Sequence, residues 1–213
     1  MPRPNRVSPL PLPTAPPALG NGIFDLPPGK IAAIATFLEL TRPAAPLPEP
    51  GLGAARLEPL DRDPGRYRAL YGRVGRPWLW FSRAALSDAA LLAIVADPAV
   101  DAMVLVVDGQ DVGLLELDWR SRPDCELAFL GLVPEAAGRG LGRRLLAEGV
   151  RRAFDRPAER LWLHTCSLDH PAALPLYLKA GFRPFRRAVE IADDPRLSGH
   201  LPPDAAPLFP RLV

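Results

Sequence analysis

Apolar residues along this chain recur in two rhythms. Strand-like runs cover Lys30 to Leu40, Val100 to Val107, Asp111 to Trp119, Cys125 to Val133, Arg160 to Ser167 and Arg183 to Ile191. The second and third are joined through Asp108-Gly109, a pair suited to a tight hairpin. Helical spacing marks other stretches. Tyr67, Leu70 and Tyr71 share a face within Asp61 to Val74, where Asp61 or Asp63 can act as cap and Pro64 suits the first turn. Ser87 to Ala96 reads as a second helix, capped by Ser87 and stopped by Pro98. Leu145, Leu146 and Val150 mark a third. A last helix follows Asp169, its predicted cap, with Pro171 in the first turn. Pro175 comes later and removes an interior hydrogen bond at a cost of about 3 kcal/mol or more, so a kink or a late start is predicted there.

The rhythm fails at both ends. Residues 1–29 are rich in proline. Proline lacks a donor and fixes φ, so a disordered extension is expected, with a docking peptide for a proline-directed partner as the alternative. Arg3 and Arg6 ahead of Leu10 and Leu12 faintly mimic an export signal, but prolines interrupt any apolar core. Thr41 to Pro50 reads as a proline linker. Residues 196–213 form a proline-spaced tail expected to pack on the surface, which leaves 30–195 as one folded domain.

At 213 residues and 48% hydrophobic, the chain can bury one full core. Its net charge of +2 argues against a dedicated nucleic-acid binder. Lys30 and Lys179 are the only lysines, so arginine fills nearly every basic position and a single arginine says little about phosphate binding. Cys125 and Cys166 supply neither a disulfide framework nor a zinc ligand set; no metal is expected, and a reducing cytoplasm is the simplest compartment. No apolar run approaches the roughly 20 residues of a membrane span, so no membrane partner is expected.

The stretch that changes the picture is Leu127 to Leu146, LAFLGLVPEAAGRGLGRRLL. A strand ends at Pro134, a glycine cluster follows (Gly138, Gly140, Gly142), and a helix begins. The first N–H groups of a helix have no internal acceptor, and the helix dipole attracts anions. Glycines let a phosphate approach the backbone. A phosphate-bearing ligand is therefore expected at Gly138 to Arg143. A dinucleotide fingerprint fits poorly: Arg143 stands where its third glycine belongs, and Trp162, Leu163 and His164 stand where an acidic residue is wanted. That weakens a nicotinamide-dependent oxidoreductase. No P-loop string occurs.

Ala137-Gly138-Arg139-Gly140-Leu141-Gly142 resembles [RQ]-x-x-G-x-[GA], the acetyl-CoA signature of the GNAT superfamily of N-acetyltransferases, with Ala137 departing at the first position. A second stretch, Asp169-His170-Pro171-Ala172-Ala173-Leu174-Pro175-Leu176-Tyr177-Leu178-Lys179-Ala180-Gly181-Phe182, resembles the family's D-N-P-x-A-x-x-L-Y-x-K-x-G-F, with His170 for the asparagine. The resemblance is sharp over Glu126 to Pro184. It implies a mixed α/β (α+β) fold: a central mixed, mostly antiparallel sheet, splayed between the family's fourth and fifth strands and flanked by helices. Cys125 to Val133 and Leu161 to Ser167 would be those two strands.

The resemblance also implies an acetyl-CoA-dependent N-acetyltransferase acting on a primary amine, small molecule or peptide, by direct attack. Cosubstrate contacts would come from Gly138, Arg139, Gly140, Leu141, Gly142 and Arg143, from His170 in the asparagine's place, and from Tyr177. A backbone N–H near Leu132 or Val133 would serve the thioester oxygen. Glu126 matches the family's base by position and Glu116 is the second candidate. On period two, Glu126 shares a face with Ala128, Leu130 and Leu132; the alternative is an exposed strand start. Tyr177 matches the general acid, the alternative being a buried aromatic. Pro77 to Arg83, with Trp78, Trp80 and Phe81, would either wall an acceptor pocket or staple the core. His164 reads as a base or a core residue. A CoA-binding module without turnover is the competing function. Oligomeric state and acceptor identity are not encoded in any motif.

Overall fold

The computed structural model of the protein describes residues 20–42, 51–60 and 63–212. Most of the proline-rich extension, most of the proline linker and the Asp61 cap lie outside the described residues. Seven strands form one sheet: β1 (Lys30–Thr41), β2 (Arg56–Pro59), β3 (Val100–Val107), β4 (Gln110–Asp118), β5 (Asp124–Leu132), β6 (Arg160–Cys166) and β7 (Arg183–Asp193), in the order β2-β3-β4-β5-β6-β1-β7. Every neighbouring pair is antiparallel except β5–β6. The β3–β4 turn holds Asp108 at φ 49° and Gly109 at φ 75°, the left-handed pair a two-residue hairpin demands. β2 carries no apolar alternation and escapes the sequence reading; it is an edge strand.

Among the described residues four α-helices flank the sheet: α1 (Pro64–Gly75), α2 (Asp88–Val95), α3 (Leu141–Asp155) and α4 (Ala173–Lys179). Asp63 caps α1 by accepting from the Arg66 N–H, and Ser87 caps α2 through the Ala90 N–H. α4 starts late. Pro175 thereby falls at its third position, where an N–H has no intrahelical acceptor, and the proline costs little. Asp169 is not its cap, a correction to the sequence reading. The residue before the helix is Ala172, and no side chain caps this end. No helix among the described residues is long and apolar enough to cross a membrane.

A bulge in β5 decides which side chains share a face. Glu116 pairs with Phe129 and Leu117 with Leu127, leaving Ala128 as the extra residue. Glu126, opposite Asp118, therefore shares its face with Phe129 and Gly131, not with Ala128, Leu130 and Leu132 as strict alternation gave. That face carries α1. The other, with Leu115 and Leu127, carries α3, where Gly149 lets the helix come close: a Cβ there would lie 3.0 Å from Leu115 Cδ1.

Gly131 sits under α1, and a Cβ on it would meet Val74 Cγ1 at 2.4 Å. Gly131→Ala is thus expected to lower stability by about 1–3 kcal/mol, read as a shift in urea midpoint at constant slope. An unchanged midpoint would mean that α1 yields freely.

Residues 196–212 run back along the loop after α1. Leu201, Ala205 and Ala206 bury against Leu79, and the Ala206 N–H donates to the Arg76 carbonyl at 3.1 Å. Arg196 is buried, pairs with Asp194 at 2.7 Å and donates to the Phe209 carbonyl at 2.7 Å.

Candidate active site

The glycine turn is built as its spacing suggests. β5 ends, a single tight turn spans Pro134–Ala136, and α3 begins at Leu141 after Gly140. Gly138 has φ 76° and Gly140 has φ 77°, a region costly for any residue with a Cβ. A Cβ at either position would meet nothing within 4 Å, so this side of the turn is open. The first amides of α3 point out of the helix there. Arg139, Arg143 and Arg144 are exposed around the turn and make no ion pair with a described residue. Arg152, farther along α3, is tied to Glu148 at 2.7 Å. A crevice of about 190 Å³ lies against the turn, lined by Leu52, Ala55, Val107, Arg139, Leu141 and Arg144 among others.

β5 and β6 pair only from Asp124 to Glu126 and then part. Beyond Glu126 no strand among the described residues lies beside the inner edge of β5. The Val133 N–H donates to the Val112 carbonyl at 2.9 Å. Val133 is therefore occupied within the sheet and is not a free donor, a second correction. Because bonded and non-bonded pairs alternate in an antiparallel ladder, the neighbouring Leu132 pair is non-bonded. The Leu132 N–H faces away from β4, into the gap.

Glu126 lies where the two strands part. Its carboxyl makes no hydrogen bond or ion pair with a described residue. Burial, reinforced by the Asp118 carboxylate in register across β4, pushes its pKa up to about 7, against the pull of Arg83. Such a group is half ionised near neutrality, the condition a general base needs. Glu116 is differently placed. It is fully buried, and both oxygens are engaged, one by Tyr67 Oη at 2.5 Å and one by Arg83 Nη2 at 2.6 Å. With no oxygen to spare, it is anchored as a buried ion rather than presented as a base. Burial first, then the Glu116 charge, raises the Tyr67 pKa well above the usual phenol value.

Tyr177 is buried against Phe182, ring centroids 6.0 Å apart, and its hydroxyl has no partner among the described residues. Burial, then the nearby Asp169 charge, pushes its pKa upward. Asp169 instead closes the exit of β6. It accepts from Thr165 Oγ1 and the Cys166 N–H, both at 2.8 Å, and from Trp80 Nε1 at 3.1 Å. His170 Nδ1 accepts from the Ala172 N–H at 3.0 Å, and its ring lies 5.0 Å from Trp78. Trp80 packs on Tyr71 and Phe129 at 5.6 and 5.2 Å. It staples the loop to the core, while Trp78 lies half-buried beside His170. The Arg83 and Asp169 contacts had no motif to announce them.

A cavity of about 490 Å³ opens between α1 and residues 200–202, with Tyr67, Tyr71 and Arg83 on its inner wall. Neither Glu126 nor the glycine turn lines it.

The acetyltransferase (GNAT) family matches this chain over residues 67–182, which contain the glycine turn, Glu126 and Tyr177. A mycothiol acetyltransferase of Kineococcus radiotolerans is 34% identical over 108 residues, 50% of this chain and 35% of that protein. The crystal structure of a GCN5-related N-acetyltransferase from Sphaerobacter thermophilus aligns with TM-score 0.58 at 19% identity, over 76% of this chain and 52% of that one. PaiA N-acetyltransferase from Thermoplasma acidophilum, solved in complex with coenzyme A, aligns with TM-score 0.50 at 18% identity, over 62% of this chain and 91% of that one. The chain thus spans about a third of the mycothiol enzyme and about half of the Sphaerobacter protein.

Proposed function

Because the chain belongs to the acetyltransferase (GNAT) family, we propose that it transfers an acetyl group from acetyl-CoA to a primary amine by direct attack. The observation that carries this reading is the open gap between β5 and β6, with a carboxyl that has no partner among the described residues at its apex and the glycine turn leading into α3 at its mouth. The amides at Gly138 to Gly142, with Arg139 and Arg143, hold the diphosphate. The crevice beside Arg139 and Arg144 receives the nucleotide end, and His170, in the asparagine's place, contacts the cosubstrate. The pantetheine arm runs along the free edge of β5, and the Leu132 N–H polarises the thioester oxygen.

A lysine-like amine has a pKa near 10.4, so deprotonating it at neutral pH costs about 4–5 kcal/mol. Glu126 takes that proton, directly or through water. The nitrogen attacks the carbonyl carbon, the oxyanion collapses, and the carbon–sulfur bond breaks. Tyr177 remains protonated across the working range because burial raises its pKa. It gives its proton to the departing thiolate and takes up the second proton that the nitrogen sheds, so the phenol is restored and the free thiol leaves. Two free thiols, Cys125 and Cys166, fit a reducing cytoplasm. The acceptor is a small molecule or a peptide.

Calorimetry with acetyl-CoA and thiol release from an amine panel test the reading. Tyr177→Phe is expected to lower kcat about 100-fold while acetyl-CoA affinity stays within about threefold. Equal kcat in the variant would remove the acid role. Ala137, where the family has Arg or Gln, favours a second reading: a CoA-binding module without turnover. That reading gives binding and no thiol release with any amine. Absence of binding at millimolar acetyl-CoA would end both.

A further inference from the structure

The helices leave part of the Glu126 face bare. α1 packs on β4 and β5, and α2 on β3. Across the register, Glu126 is level with Trp162 on β6, the last pair before the strands part. Neighbouring strands lie about 4.8 Å apart, so Trp162 flanks the carboxyl on that face, on the side away from Asp118. The aromatic surface continues outward. Phe37 on β1 stacks with Trp162 at 6.3 Å and lies 5.5 Å from His164, and Phe185 on β7 stands edge-on to Phe37 at 6.2 Å. His164 is exposed and Trp162 half-buried, and neither side chain has a hydrogen-bond partner among the described residues. On the opposite face of the same strand, Leu161 and Leu163 are fully packed.

We infer that Trp162, with Phe37 and His164 beside it, forms the floor under the acceptor, and that the acceptor is a primary amine carried on a flat aromatic body. This rests on the acetyl-transfer reading above and names its substrate class. The two outer rings are already taken: Arg186 lies over Phe37 at 4.6 Å and Arg160 over Phe185 at 5.4 Å. Among the described residues no cation covers Trp162, so the indole beside Glu126 is the ring left for a ligand. An amine placed at Glu126 has its attached group over that indole, where a flat ring gains both apolar area and ring–ring contact. Charge narrows the choice further. Arg160 is held by Glu39 and Asp124, but Arg186 has no carboxylate partner among the described residues. A second positive charge on the acceptor is therefore disfavoured, which sets polyamines apart from monoamines with a neutral ring.

The test compares kcat/KM for phenethylamine, tryptamine, hexylamine and spermidine at saturating acetyl-CoA, in the wild type and in Trp162→Leu. Acetyl-CoA affinity by calorimetry checks that each protein is folded. The aromatic amines are expected to exceed hexylamine by roughly tenfold or more, with spermidine poorest, and the ratio to fall toward one in Trp162→Leu. If Trp162→Leu loses acetyl-CoA binding, His164→Ala supplies the same ratio from an exposed position. Equal use of aromatic and aliphatic amines, or an unchanged ratio in the folded variant, overturns the aromatic floor and leaves acetyl transfer standing. A wild type that binds acetyl-CoA and acetylates none of these or other amines overturns the transfer reading, and this inference with it.

Discussion

Glu126→Gln is expected to lower kcat/KM for the amine by about 10²- to 10⁴-fold, the usual range for losing a positioned base. The pH dependence makes the prediction specific. With the carboxyl pKa near 7, wild-type kcat/KM rises with pH through neutrality and then flattens. The glutamine variant loses that limb. Stability gives an independent check of opposite sign. The folded pKa lies above the ordinary carboxyl value, so between about 4.5 and 7 the folded state holds the proton more tightly than the unfolded state. Stability therefore falls as pH rises through this window, because a half-buried carboxylate opposite Asp118 must ionise. Glu126→Gln should raise Tm at pH 8 and leave it nearly unchanged at pH 4. An activity loss with the pH limb intact would move the base to another group. A Tm unaffected at both values would mean that Glu126 is better hydrated than its position implies.

Much of this site was legible because its chemistry is local. Gly138 and Gly140 adopt left-handed φ within a few residues of a helix start, and consecutive letters encode that. The same holds for the Asp63 and Ser87 caps and for the Asp108-Gly109 hairpin. Errors arose where partners are distant in sequence. Counting by two from Glu126 put it with Leu130 and Leu132, because a bulge at Ala128 is set by pairing with β4 and leaves no composition signal. Val133 looked free because the Val112 carbonyl that takes its N–H lies one strand away. Asp169 has the chemistry of a cap, yet Thr165 and Trp80 compete for its oxygens and win. β2 offers only Arg56-Leu57-Glu58-Pro59, held at the edge by pairing to β3 and by the Arg66 bridge to Glu58 at 2.9 Å. Glu116 could be picked out as a carboxylate in an apolar strand. Its partners Tyr67 and Arg83 could not, since each comes from a different element.

That buried cluster gives the largest expected effect on stability. Arg83→Ala should cost about 3–5 kcal/mol, because it strands the Glu116 carboxylate in the core without its counter-charge. Burial works against the Arg83 cation, but the Glu116 charge, the neighbouring Tyr67 and the hydrogen bond to Glu116 together outweigh it, so its pKa is raised overall. The guanidinium also covers Phe129 at 5.0 Å, so alanine loses packing as well as charge. Tyr67→Phe removes one hydrogen bond to a charged group and should cost less, about 1.5–3 kcal/mol. The decisive comparison is the double variant Arg83→Met with Glu116→Leu. Once both charges are gone the desolvation cost goes too, so the pair should recover most of the loss seen in Arg83→Ala. Urea denaturation of the four proteins measures this directly. A loss below about 1 kcal/mol in Arg83→Ala would show that Arg83 is not what keeps Glu116 in the core. If the double variant recovers stability but loses turnover, the triad's purpose is to hold β4 and Phe129 in place beneath Glu126.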